Sequence, residues 1–299
     1  MRLGMKTIAS MFAVFLYAAI VNSTPNVSLS EIITNGNGTA INGARLNLVN
    51  PGLGQNIDST GLIFDDTKIC HYELSFFTPY WQDSLLYYKN LPEEEYFPAR
   101  FTWHGAAGDS ITFDSIGVRY KGNSSFIFAK NSPKKPFKFR FDRYKAGQTF
   151  FGHERLNFSN GAKDPTNVRE KIAYDVIRRY MPAPRASFAT ISVSGKMIGL
   201  YTQVEQIDNG FIKRNFVKDK GNLYKSADNG ATLLYKGQNQ SSYEPDYDLK
   251  TNETINDWSG FIDMIDRLNN SPDSLFVASA GAWLDLGRSA RFCAFIMVF

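Results

Sequence analysis

The stretch KPFKFRFDRY, residues 135–144, constrains this chain most. Phe137, Phe139 and Phe141 alternate with Lys138, Arg140 and Asp142. A period of two puts the phenylalanines on one face of a strand and the charges on the other. Three rings on one face require an apolar layer opposite them, so the strand belongs to a sheet with a buried side. Other segments follow the same pattern. In the run from Ile69 to Phe76, Ile69, His71, Glu73 and Ser75 alternate with Cys70, Tyr72, Leu74 and Phe76. YFPARFTWHG and ITFDSIGVRYKG read as paired strands, and GNLYK as a short one. ASFATISVSGKMIGLYTQVEQID reads as a hairpin turning at Ser194-Gly195-Lys196.

Helical patterns punctuate these strands. TPYWQDSLLYYKNL has Pro79 near its start, and WSGFIDMIDRLNN is amphipathic. DPTNVREKIAYDVIRRYM is the best helix. Asp164 or Thr166 can cap it, Pro165 suits the first turn, and Val168, Ile172, Val176 and Ile177 form an apolar stripe. Strands, then a helix, then a hairpin indicate an α+β class.

The 299 residues are 43% hydrophobic, enough for a sizeable core and too much for disorder. A net charge of +4 spread over 33 basic and 29 acidic residues does not point to nucleic acid. Two Cys and three His give no zinc spacing. The charged start MRLGMK, the apolar run that follows and the Val-Asn-Ser ending read as a signal peptide over residues 1–23. A secreted or cell-surface location follows, with no membrane span after signal removal. Residues 24–60 form an Asn/Gly-rich leader, and residues 61–299 the main domain. Cys70 and Cys293 are either a disulfide or two thiols. The final WLDLGRSARFCAFIMVF opens like a helix and ends on apolar residues. It is either a buried terminal helix or the point where a chain stops within a domain.

Three stretches can carry chemistry. VRYKGNSS, residues 118–125, places Lys121 and Gly122-Asn123-Ser124-Ser125 after a strand. It lacks the GxxxxGK[ST] phosphate loop and is not expected to open a helix. It reads as a phosphate-contacting turn, a hairpin turn, or the glycosylation sequon Asn123-Ser124-Ser125. Lys138 stands in mid-strand opposite the phenylalanines. Glu170 lies one turn into the best helix, beside Arg169 as a spare cation. Lys138 and Glu170 can pair as the strand Lys and helix Glu that grip nucleotide phosphates in kinases do, or Lys138 can lie on a solvated strand face and Glu170 be an ordinary surface charge. Glu205 and Gln206 end a strand, where they suit an adenine edge or an ordinary loop.

In order and spacing, IGVRYKGNSSF, KKPFKFRFD, LNFSNGAKDPTNVREKIAYDVIRR, PAPRASFATISVSGKMIGLYTQVEQID and GNLYK resemble the CotH kinase family. The resemblance runs from about Phe64 to about Asn270. It implies an atypical protein-kinase-like fold with a β-rich N-lobe and a helical C-lobe. It implies a secreted kinase that transfers the ATP γ-phosphate, with Mg²⁺ or Mn²⁺, to Ser of exported or coat proteins. On that likeness Lys138 is the nucleotide-gripping Lys and Glu170 its partner. Lys121, Gly122, Asn123, Ser124 and Arg169 lie on the phosphate side, and Glu205 and Gln206 at the base. The family's carboxylate segment, of the type HN…Y…FIPWDLD, is not found, so the C-lobe is expected to be incomplete and phosphotransfer by this chain weak. Asp208, Asp246 and Asp248 are candidates to stand in as metal ligands, though no motif places them opposite Lys138. The alternative is a non-catalytic secreted or surface binding protein, a coat component or an adhesin.

Overall fold

The computed structural model describes residues 18–20, 59–93, 95–105, 108–217, 220–227 and 231–298. The expected signal peptide, apart from the backbone of Ala18–Ile20, and nearly all of the leader lie outside these residues. In chain order the strands are β1 (Ala18–Ile20), β2 (Cys70–Phe76), β3 (Phe97–His104), β4 (Ser110–Tyr120), β5 (Phe137–Arg140), β6 (Arg155–Ser159), β7 (Ala186–Val193), β8 (Lys196–Glu205), β9 (Asn222–Ser226) and β10 (Tyr247–Leu249). The helices are α1 (Trp81–Lys89), α2 (Ser124–Phe128), α3 (Arg169–Ile177), α4 (Asn209–Asn215), α5 (Ser259–Asn270), α6 (Phe276–Gly281) and α7 (Leu286–Val298). They form two compact units, one of residues 59–219 with 287–299 and the other including residues 220–286.

The first unit is built on a closed barrel in the order β2-β3-β4-β5-β6-β8-β7. All neighbours are antiparallel except β2 and β7, whose parallel pairing closes the ring. Closure leaves no unpaired strand edge. The register slips between Ala99 and Phe101 and between Ile191 and Ser192, where added twist helps the sheet curl. Tyr72, Leu74, Phe101, Val118, Phe137, Phe139, Leu156 and Phe158 fill the core. Phe139 and Phe158 are in contact with ring centres 4.4 Å apart. Each buried ring is worth about 1.5–3 kcal/mol of transfer free energy. The polar core group Gln203 is satisfied on both sides. It accepts from the Tyr72 hydroxyl and donates to the Ile63 carbonyl at 3.0 Å, at a 3-10 turn spanning Ser59–Phe64.

The second unit is a three-stranded antiparallel sheet, β1-β9-β10, with α5 and α6. Its own core centres on Tyr224, Tyr243, Tyr247, Trp258, Phe261 and Ile265.

The α+β class therefore holds, with a closed barrel as its dominant element. Two local expectations are corrected. The turn after β4 does open a helix, the five-residue α2. Of the apolar stripe of α3, Ile177 is buried and Val176 half-buried, but the stripe as a whole is not the buried face. The helix starts late, at Arg169, after Asn167 adopts φ 56°. Val168 and Ile172 are exposed, whereas Lys171 is buried and pairs with Asp66 at 2.9 Å and Asp175 at 2.5 Å. Cys70 and Cys293 are both free thiols. No helix among the described residues is long and apolar enough to cross a membrane.

Candidate functional site

Strand pairing arranges the outer face of β4, β5 and β6 in rows. Arg119 pairs with Lys138, and Lys138 with Asn157. One step along, Lys121 donates its backbone N–H to the Pro136 carbonyl at 3.0 Å, and Ser159 pairs with Thr202 on β8. Side chains two residues apart share a face, so Lys121, Pro136 and Ser159 form the second row.

Glu170 belongs to this second row. The Ser159 hydroxyl donates to Glu170 Oε1 at 3.0 Å. Burial raises the Glu170 carboxyl above its ordinary range, opposed by the Lys121 charge and the Ser159 hydrogen bond. Burial lowers the Lys121 ammonium, and the Glu170 charge opposes it. Among the described residues, Lys121 makes no side-chain hydrogen bond or ion pair, so its charge is balanced through space and its donors stay available. The expected Lys138–Glu170 pair is therefore corrected: the cation beside Glu170 is Lys121. The proline at position 136 puts no long side chain between Lys121 and Ser159, whereas Lys138 sits one row away.

Three elements complete the cleft. Gly122 adopts φ 72°, and a Cβ there would meet Ser125 Oγ at 2.3 Å, so the turn over Lys121 requires glycine. Asn123 and Ser124 are exposed at the start of α2. Lys134 donates to Asn167 Oδ1 at 2.9 Å and lies 5.6 Å from the centre of the Tyr201 ring. Asn160 is buried and donates to the carbonyls of Lys134 at 3.0 Å and Ser125 at 3.4 Å. Its Oδ1 is buried with no hydrogen-bond partner, as is the Tyr201 hydroxyl. Unsatisfied buried polar atoms are uncommon and each calls for an explanation. Lys135 is spent locally, on the Ala129 carbonyl at 2.5 Å and the Lys130 carbonyl at 3.0 Å.

The remaining sequence-selected residues lie elsewhere. Arg169 is exposed, 3.8 Å from Asp164. Gln206 accepts from Asn157 at 3.0 Å and so joins the row of Lys138. Glu205 is 3% exposed, and both its oxygens are committed. Oε1 takes Arg185 Nη2 at 2.7 Å, while Oε2 takes the Arg185 backbone N–H at 3.0 Å and Arg214 Nη2. Asp208 caps α4, accepting from Gly210 N at 3.0 Å and Phe211 N at 3.3 Å. Asp246 pairs with Lys236 at 2.5 Å and Asp248 with Lys250 at 3.1 Å. Among the described residues, no three His, Cys, Asp or Glu side chains converge as a metal-ligand set.

Sequence reasoning missed Lys134, Asn160 and Ser159. The paired lysines of SPKKPF were the available signal for Lys134; nothing local marks Asn160 or Ser159, whose roles depend on pairing between distant strands.

Comparison with known proteins bears on this site. A family model described as CotH kinase protein matches residues 118–299, which include every cleft residue named above. The inner spore coat protein H of Bacillus subtilis (strain 168) is 25% identical over 187 residues, covering 61% of this chain and 49% of that protein. The chain thus spans about half the length of that curated relative.

Proposed function

The chain belongs to the CotH kinase protein family, and from that premise we propose that it is a CotH-like protein kinase whose Lys121–Glu170 cleft takes the phosphates of ATP. The observation that carries this reading is Lys121. It is a half-buried ammonium with no side-chain hydrogen bond or ion pair among the described residues, held beside a half-buried carboxylate under a glycine turn. Phosphoryl transfer depends chiefly on positioning and on neutralising phosphate charge. Lys121 and Lys134 would supply that charge, with Glu170 orienting Lys121. Asn160 Oδ1 is a buried acceptor suited to a hydroxyl or amino donor of the nucleotide. These residues fit a nucleotide. ATP, when bound, supplies the transferable phosphoryl group.

The Mg²⁺ or Mn²⁺ that the family resemblance implies has no assigned ligands here: among the described residues Asp164 lies close enough for its charge to act on Glu170 and Lys134, but its oxygens are taken by Thr166 and the Arg169 N–H, and no three acidic, His or Cys side chains converge. In this reading the acceptor is Ser of an exported or coat protein, the protein is secreted or held at a surface, and nucleotide gripping is this chain's principal share of the reaction. The coat name of the Bacillus relative also supports a second reading, a non-catalytic coat component or adhesin.

Titration with a fluorescent ATP analogue separates the two. The kinase reading expects saturable binding that ATP displaces and that Lys121→Ala weakens at least tenfold. Absence of displaceable binding in the folded chain would contradict it and favour the binding-protein reading.

A further inference from the structure

A second charged constellation, apart from the cleft, lies where β8 ends. There one carboxylate, Glu205, serves two guanidiniums, Arg185 and Arg214. Arg178 adds its charge to the same group. Burial depresses the Arg214 guanidinium, and Arg185 and Arg178 depress it further, against the pull of Glu205. Arg214 Nε is buried with no hydrogen-bond partner. Next to it opens a pocket of about 290 Å³, lined by Arg178, Arg179, Tyr180, Pro182, Arg214 and Asn215. Arg291 on α7 reaches the same segment, donating to the Tyr180 carbonyl at 3.5 Å. Among the described residues, positive charge thus exceeds the single carboxylate, Glu205, that pairs with these arginines, and the pocket lining contributes no acid.

Such an excess is costly unless an anion offsets it. Guanidinium forks match phosphate oxygens in a bidentate way that ammonium groups do not. The volume sits near the lower end of ligand pockets, about 300 Å³, which suits one phosphorylated group and its immediate neighbours. Arg178 and Arg179 are exposed at the mouth, while Arg214 is half-buried at the rear against Glu205.

We propose that Arg178, Arg179 and Arg214 form a phosphate-monoester site at the end of β8, separate from the Lys121 cleft. Two sources share that chemistry: a phosphorylated side chain of a protein, and free phosphate. Fluorescence anisotropy with a labelled phosphoserine peptide and its serine counterpart tests the site. The wild-type chain is expected to bind the phosphopeptide at least tenfold more tightly. R178A/R179A, at exposed positions, should lose that preference with an unchanged thermal midpoint, and R178K/R179K should retain part of it. Lys121→Ala should keep the preference in full. Inorganic phosphate that competes as well as the phosphopeptide identifies free phosphate as the source, and failure to compete identifies a protein-borne group. A preference that survives R178A/R179A, a preference lost in Lys121→Ala, or binding of neither probe would overturn the proposal.

Discussion

Glu170 and Glu205 both stand against cations on the same barrel, and they treat those cations differently. Glu205 is fully buried and saturated, each oxygen taken by arginine donors. Glu170 is half-buried, accepts one hydrogen bond from Ser159, and senses Lys121 without closing an ion pair. The saturated carboxylate fixes the chain, and only donors that it leaves unpaired, such as Arg214 Nε, can serve a ligand. An open pair retains donors that phosphate can use. The contrast separates an ion pair that holds the fold from one suited to binding, although both residues looked alike as strand-end or helix carboxylates.

Substitution at the saturated pair should give the largest effect. Glu205→Ala leaves buried Arg185 and half-buried Arg214 without their shared acceptor. Losing one partner of a buried pair costs about 3–5 kcal/mol, so urea unfolding should shift by that amount. A shift under about 1 kcal/mol would mean that the arginines find other partners and that the pair is not saturated in the sense used here.

An intermediate effect is expected at Asp208, whose carboxylate takes backbone donors instead of cations. Asp208→Ala removes the cap of α4, worth about 0.5–2 kcal/mol. The same urea measurement applies, and a loss as large as that at Glu205 would erase the distinction between capping and charge pairing.

The smallest stability effect belongs to Glu170→Gln, and its sign is informative. Burial raises the folded-state pKa of Glu170. The folded state therefore holds the proton more tightly, so this stabilisation is present below the unfolded pKa and is lost as pH rises through the folded one. Between pH 4 and 7 the wild-type chain should lose stability relative to Glu170→Gln, with the variant at least as stable at pH 7. Wild-type stability that grows relative to the variant over that range would show a closed Lys121–Glu170 ion pair.

Much of the barrel was legible because strand alternation is local. The face of Lys138, the β7–β8 turn at Ser194-Gly195 and the burial of Phe137 and Phe139 all follow from neighbouring residues. Register was not legible. Whether Lys121 or Lys138 stands beside Glu170 depends on how β4, β5 and β6 align, and on α3 starting after Asn167 instead of near Pro165. The α3 stripe misled for a related reason: Lys171 is buried because Asp66, far off in sequence, pairs with it. Nothing local marks Asn160, because its role follows from distant segments that bring the Lys134 and Ser125 carbonyls to it.

In the proposed kinase reading, Lys121 rather than Lys138 grips the nucleotide. The most direct test is titration of Lys121→Ala and Lys138→Ala side by side with the same ATP analogue, each variant checked for an unchanged thermal midpoint. Lys121→Ala is expected to weaken binding at least tenfold and Lys138→Ala to change it less than threefold. Loss of binding in Lys138→Ala with Lys121→Ala unaffected would contradict it.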